Sequence, residues 1–65
     1  NTVEHVILSI VKLTPLNTEA AFEKTLTAHE KGLVLLLVTH KERAELYQEQ
    51  FTSLKLTVSI EPDAS

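Results

Sequence analysis

The sequence contains no cysteine and only one glycine. Without cysteine the chain cannot form a disulfide, a zinc site based on cysteine or a thiol nucleophile, and its composition is compatible with a reducing compartment. We therefore expect a cytoplasmic protein. A single glycine also excludes the glycine-rich loop that cradles phosphate groups in nucleotide-binding proteins.

The residues needed for catalysis or metal binding are missing as well. No serine lies in a nucleophile-elbow context, and no acid and base are paired in a recognisable pattern. None of the three histidines, His5, His29 and His40, is spaced with a second metal ligand. We expect no enzyme activity, no metal and no cofactor.

Charge and hydropathy exclude two further classes of partner. The formal net charge is −3, and the lysines and arginines are scattered, so no basic patch is available for nucleic acid or anionic lipid. The longest apolar run, Leu33 to Val38, has six residues. We expect neither a membrane span nor a signal peptide.

Apolar periodicity predicts three helices in this chain of 65 residues. Asn1 and Glu4 have the spacing of a capping box at the start of the first helix. Asn17 or Thr18 would cap the second, and Gly32 would end it. Another capping-box spacing, Thr39 to Glu42, precedes the third. The predicted inward-facing residues are Val3, Val6, Ile7, Ile10 and Val11, then Phe22, Thr25, Leu26 and His29, then Ala44, Tyr47, Phe51 and Leu54.

Two further segments have the pattern of strands. Leu33 to Val38 is apolar throughout, as in a central strand covered on both faces, and Lys55 to Glu61 alternates, with Leu56, Val58 and Ile60 on its inner face. The order is therefore helix, helix, strand, helix, strand. Two strands make a poor sheet, so we expect an α+β fold whose missing first strand lies upstream. The domain would comprise residues 1–61, and residues 62–65 would form a frayed tail.

Two features of the helices have both a structural and a functional interpretation. Glu42, Glu45 and Glu49 form an acidic ridge on the third helix, which is either a solvated face or a docking surface for a basic partner. His29 lies on the apolar stripe of the second helix, where a buried imidazole needs a hydrogen-bond partner. It is either a satisfied structural histidine or a polar group at the rim of an apolar pocket. Thr25, on the same stripe, either lines that pocket or bonds its own helix.

Four segments in this order resemble the ClpS-type adaptors of the Clp AAA+ protease: NTVEHVILSIVKL, LTAHEKGLVLLLVT, KERAELY and LTVSIEP. The likeness runs from Asn1 to about Pro62. It implies a small α/β sandwich in which three helices pack on a three-stranded antiparallel sheet. It also implies an adaptor that binds the bulky hydrophobic N-terminal residue of an N-degron substrate and delivers the substrate to a Clp unfoldase.

The resemblance assigns roles to individual residues. His29 matches the histidine that contacts the substrate α-amine, and Val3 matches a gatekeeper that is usually methionine. Val6 and Leu56 match pocket walls, and Asn1 stands where many members carry threonine. Glu42 and Glu45 match the residues that touch the N-terminal domain of the Clp partner. If the source cell has plastids, the plastid stroma is the alternative location.

Three departures from the family predict a changed pocket. Thr25 stands where methionine is common and Ala28 where valine is common, so with Val3 three lining residues are smaller than usual. We expect an altered ranking of Leu, Phe, Tyr and Trp as first residue. Members also carry an Asn-Asp-Asp segment before the first helix, which this sequence does not include.

Two non-enzymatic alternatives have related folds. A regulatory small-molecule domain would pair its subunits through strand edges. A structural interaction domain, similar to the C-terminal domain of the ribosomal stalk protein, would have no amine pocket.

Overall fold

The described part of the chain, residues 2–62 of a computed structural model, folds into three α-helices. They are α1 (Val3–Leu13), α2 (Thr18–Lys31) and α3 (Lys41–Ser53). Helix α1 packs mainly against α2 and less extensively against α3. None of these helices is long and apolar enough to cross a membrane. Of the predicted tail, residues 62–65, the last three lie outside the described residues.

Helix α1 begins one residue later than the capping-box spacing predicts. Its N-cap is Thr2, whose hydroxyl oxygen accepts a hydrogen bond from the His5 backbone N–H at 3.1 Å. The prediction of a cap at Asn1 was therefore wrong. Thr2 has the same hydroxyl chemistry and satisfies one of the four N–H groups left unpaired at a helix start.

Both ends of α2 follow the prediction. The side chain of Asn17 accepts a hydrogen bond from the Ala20 N–H at 2.8 Å, so Asn17 is the N-cap. Gly32 ends the helix with φ at 81°, and its N–H donates to the Ala28 carbonyl. This left-handed conformation costs glycine little because it has no Cβ.

Helix α3 lacks the predicted cap. His40 is the N-cap residue and makes no side-chain capping hydrogen bond, so the capping box expected from Thr39 to Glu42 was wrong. At the other end, Lys55 has φ at 67°, and the N–H groups of Lys55 and Leu56 donate to the carbonyls of Thr52 and Phe51. This pair of bonds is a Schellman motif, which ends a helix without glycine here.

The predicted sheet is absent from the described residues. Neither Leu33–Val38 nor the alternating segment that begins at Lys55 forms a strand between residues 2 and 62. The expected α+β sandwich of three helices on a three-stranded antiparallel sheet was therefore wrong for this structure. The two segments contribute through side chains instead, since Leu36, Leu56 and Val58 pack against the helical core.

The correction has a physical reason. A run of apolar residues predicts which side chains become buried. A strand also requires a neighbouring backbone segment with which it forms a ladder of hydrogen bonds. Leu33, Leu35 and Val38 are between 65 and 72% exposed, so this segment is covered on one side only and is not a central strand.

The core is small and lies where the three helices meet. Ile10, Ala21 and Phe51 are its buried apolar residues, one from each helix. The inward stripe predicted for α1 and α3 is largely confirmed, because these half-buried residues pack around the core: Val6, Ile7, Val11 and Tyr47.

The stripe predicted for α2 was partly wrong. Phe22 and Leu26 are 47 and 43% exposed, and His29 is exposed, whereas Ala21 and Thr25 are buried. The helix thus turns its small side chains toward α1. Small contact residues let two helices approach closely, which favours this orientation over one with Phe22 between them.

Buried hydroxyls are satisfied locally. Ser9, Thr14 and Thr25 each donate to the carbonyl four residues earlier, at 2.7 Å in every case. A hydrogen bond between residues distant in sequence joins α1 to the end of α3, because the Nε2 atom of His5 lies 2.8 Å from the carbonyl oxygen of Leu54. These bonds allow polar groups at the helix contacts without the cost of an unpaired buried donor.

Candidate functional site

An open cleft of about 300 Å³ lies between the first turns of α1 and the last turns of α2. Five residues line it: Val3, Val6, Thr25, Ala28 and His29. On the α1 side the cleft is bordered by two valines, and on the α2 side by two small residues and one histidine.

The walls of the cleft are mainly apolar. Val3 is 53% exposed and lies at the entrance, while Val6 and Ala28 are half-buried. The Thr25 hydroxyl already donates to the Ala21 carbonyl, so only its oxygen lone pairs remain to accept a hydrogen bond from a ligand. Such a surface favours an apolar side chain over a polar one.

His29 provides the polar group of the cleft. It is exposed and lines the cleft, which places its imidazole at the boundary with solvent rather than in the core. The structural alternative, a buried histidine satisfied inside the protein, therefore does not apply. A neutral imidazole has one nitrogen that can accept a hydrogen bond from a cationic donor.

Most of the residues predicted for the substrate site come together in this cleft. Leu56 does not line it; this residue is half-buried and packs against the core cluster. Asn1 lies outside the described residues. Both interpretations of Thr25 hold at once, because it bonds its own helix and also borders the cleft.

A second cleft, of about 400 Å³, lies along α3. It contains the acidic ridge, and its lining residues are His40, Glu42, Arg43, Glu45, Leu46 and Glu49. Sequence reasoning missed Arg43 and Leu46 here. The guanidinium carbon of Arg43 lies 6.0 Å from the centre of the Tyr47 ring, a cation–π distance. A helical projection of α3 would have shown that Leu46 borders the ridge.

The chemistry available in the two clefts is that of binding. In residues 2–62 no group of three histidine, aspartate or glutamate side chains could hold a metal ion. The cleft between α1 and α2 can take an apolar side chain and a hydrogen-bond donor at its rim. The cleft on α3 presents three carboxylates to a partner.

Comparison with known proteins gives the family to which this chain belongs. A family profile described as "ATP-dependent Clp protease adaptor protein ClpS" matches residues 1–59. A protein of Thermosynechococcus vestitus is 35% identical over 65 residues, which cover 97% of this chain and 69% of that protein. Relatives from a Synechococcus species and from Synechococcus elongatus are 38 and 36% identical, with 62 and 67% of their lengths covered. All three are named ATP-dependent Clp protease adapter protein ClpS.

The chain is thus a protease adaptor, a class of proteins that serve a protease without catalysing a reaction themselves. It belongs to the ClpS family, whose members act with the Clp protease machinery. It spans about two thirds of the length of the relatives named above, and less than that of one of them. No solved structure is significantly similar to it.

Proposed function

We propose that the chain binds the N-terminal residue of N-degron substrates, with its free α-amine, and delivers these substrates to a Clp unfoldase. The observation that carries the proposal is the cleft between α1 and α2, with apolar walls and His29 at its rim. A first residue with a large hydrophobic side chain would enter the cleft, and its amine would remain at the rim.

Two free-energy contributions are expected, one from the buried side chain and one from the α-amine. Burial of apolar surface contributes about 25 cal/mol per Å², so a large side chain would gain roughly 1.5–3 kcal/mol in the cleft. The α-ammonium group is a cationic donor, and hydrogen bonds to charged groups contribute about 1.5–3 kcal/mol. The two contributions together come to roughly 3–6 kcal/mol, which corresponds to a Kd between about 6 mM and 40 μM, so we expect measurable binding to require both.

Specificity among first residues would follow from the size of the cleft. Val3, Thr25 and Ala28 are smaller than the residues common at these positions in the family, and all three line the cleft. The missing atoms leave room for larger rings, at about 0.8 kcal/mol for each methylene of contact that a ligand restores. We infer that Phe, Tyr and Trp gain relative to Leu.

The acidic cleft on α3 would hold the Clp partner. Glu42 and Glu45 lie together there with Glu49, and the chain has a net charge of −3. Charge complementarity favours a basic surface, which we assign to the N-terminal domain of the unfoldase. The adaptor would act in the compartment of that machinery, the cytoplasm or, in a plastid-bearing cell, the stroma.

The test is fluorescence anisotropy with labelled peptides that begin with Leu, Phe, Tyr, Trp or Val, each with an N-acetylated counterpart. We expect measurable binding only for peptides with both a bulky first residue and a free amine. His29→Ala should weaken binding at least about tenfold, the loss of one charge-assisted hydrogen bond of roughly 1.5–3 kcal/mol. His40→Ala is the matched control, an exposed histidine outside this cleft.

Two results would refute the proposal. One is binding that is indifferent to acetylation, which would mean that the amine is not recognised. The other is an equal effect of His29→Ala and His40→Ala, which would remove His29 from the site. The usual family ranking of Leu, Phe, Tyr and Trp would refute only the inference on specificity.

A further inference from the structure

Helix α2 carries two large apolar side chains that the core does not use. Phe22 is 47% and Leu26 is 43% exposed. They are four residues apart, so they lie next to each other on one face of the helix. We refer to this pair, Phe22 and Leu26, as the α2 strip.

The α2 strip is continuous with the rim of the cleft. His29 follows Leu26 by three residues, and Thr25 lies between Phe22 and His29 on the same side of the helix. Both Thr25 and His29 line the cleft. A ligand that leaves the cleft past His29 and runs along α2 toward the start of that helix would meet the α2 strip.

The spacing fits a peptide backbone. Three residues of helix rise about 4.5 Å, whereas an extended chain advances roughly 3.3–3.6 Å per residue. A peptide whose first residue occupies the cleft and whose amine meets His29 would thus bring its second residue beside Leu26. Phe22, one further turn along, is within reach of a bulky second side chain.

Charge on α2 indicates the kind of peptide. The exposed residues Glu19, Glu23 and Glu30 form an acidic border on the side of the α2 strip away from the cleft. Lys24 and Lys31 are seven residues apart and lie on the opposite side of the helix. The surface beyond the strip therefore favours a basic segment and disfavours an acidic one.

We propose that the α2 strip is a second subsite, which takes an apolar side chain at the second position of the substrate, followed by a basic residue that faces the acidic border. This inference rests on the proposed function. Specificity then depends on at least two residues of the substrate, and not on the first residue alone.

The experiment uses the full chain and labelled peptides that share a free N-terminal Phe. Their second residue is Leu or Ser, and their third is Lys or Glu. We expect the Leu peptide to bind about five to ten times more tightly than the Ser peptide, and Lys to be favoured over Glu by a few-fold at low salt. In the double variant Phe22→Gln and Leu26→Gln, the preference for Leu should fall below twofold. Leu8→Gln is the control, because Leu8 is an exposed apolar residue of α1 that does not line the cleft.

The possible outcomes separate the two proposals. In the first case, binding needs the free amine and the bulky first residue, but the parent chain shows no preference for Leu at position two, or the double variant keeps that preference. The second subsite is then wrong and the proposed function stands. If no peptide binds, both are wrong. If the chain sediments as a dimer that only the double variant dissociates, and no second-residue preference exists, the strip binds a second copy and the proposal is overturned.

Discussion

At the scale of single residues, the site depends on where small side chains and one histidine fall along two helices. His29 lies at the rim because α2 turns Ala21 and Thr25 inward, which carries His29 toward solvent. The same rotation exposes Phe22 and Leu26. One orientation of one helix therefore produces both the cleft and the strip beside it.

The size of the cleft can be tested at Thr25. Thr25→Met adds a longer apolar side chain to the wall and should partly fill the cleft. We expect peptides that begin with Trp to lose affinity about tenfold relative to those that begin with Leu, since an overfilled site costs roughly 1–3 kcal/mol. The measurement is peptide anisotropy with both ligands.

Thr25→Val is the matched control for this variant. Valine has nearly the shape of threonine, and the lost hydroxyl donates only to the Ala21 carbonyl within the same helix. The ranking of first residues should therefore stay as in the parent chain. A shift of equal size in both variants would mean that Thr25 acts through its hydroxyl and not through the volume of the cleft.

At the scale of elements, the helix starts differ in whether a side chain accepts a hydrogen bond from their backbone N–H groups. Asn17 caps α2 with a side-chain hydrogen bond of 2.8 Å, whereas His40 at the start of α3 makes none. An uncapped start leaves backbone N–H groups that only water or another group can satisfy. The two ends offer a matched pair of substitutions with opposite expected signs.

Asn17→Ala should lower the free energy of unfolding by about 1 kcal/mol, because it removes an existing cap. His40→Ser should raise it by about 0.5–1 kcal/mol, because serine supplies the acceptor that the start of α3 lacks. Urea denaturation followed by circular dichroism measures both changes. Destabilisation by His40→Ser would show that the His40 side chain stabilises the helix through other contacts.

At the scale of the whole molecule, the two clefts use different residues. The cleft that we propose for the substrate lies between α1 and α2, and the acidic cleft lies along α3, with no lining residue in common. Helix α3 is joined to α1 through Phe51 in the core and through the bond from His5 to Leu54. An adaptor with separate surfaces can hold its substrate and its unfoldase together.

Because the two clefts share no lining residue, substitutions in the acidic cleft should weaken docking to the unfoldase without changing peptide binding. The double variant Glu42→Gln and Glu45→Gln should weaken binding to the N-terminal domain of a Clp unfoldase by about three- to tenfold, with a smaller dependence on salt. Affinity for N-degron peptides should not change. Calorimetry with the isolated N-terminal domain measures the first effect, and peptide anisotropy the second.

The control for the docking variant is Glu61→Gln, an exposed carboxylate outside the acidic cleft. It removes one charge without touching the ridge. If this single change weakens docking as much per charge as the double variant does, the effect is one of net charge and the assignment of Glu42 and Glu45 fails.

The sequence alone determined the local features of this protein. Three helices, a cap of α2 at either Asn17 or Thr18 and the stop at Gly32 follow from contacts between residues a few positions apart, which a sequence pattern can indicate. Family membership was also accessible, because the motif around His29 keeps its order and spacing. Two predicted helix starts were wrong by one residue, because the N-cap positions are Thr2 and His40.

The tertiary structure decided whatever depends on distant partners. Leu33–Val38 has the composition of a central strand, but within residues 2–62 it packs as an irregular segment, since a ladder needs a second backbone and apolar composition does not supply one. The orientation of α2 was decided in the same way. Close packing of Ala21 and Thr25 against α1 outweighed the burial of Phe22 and Leu26, and only that choice created the cleft that brings Val3 and His29 together.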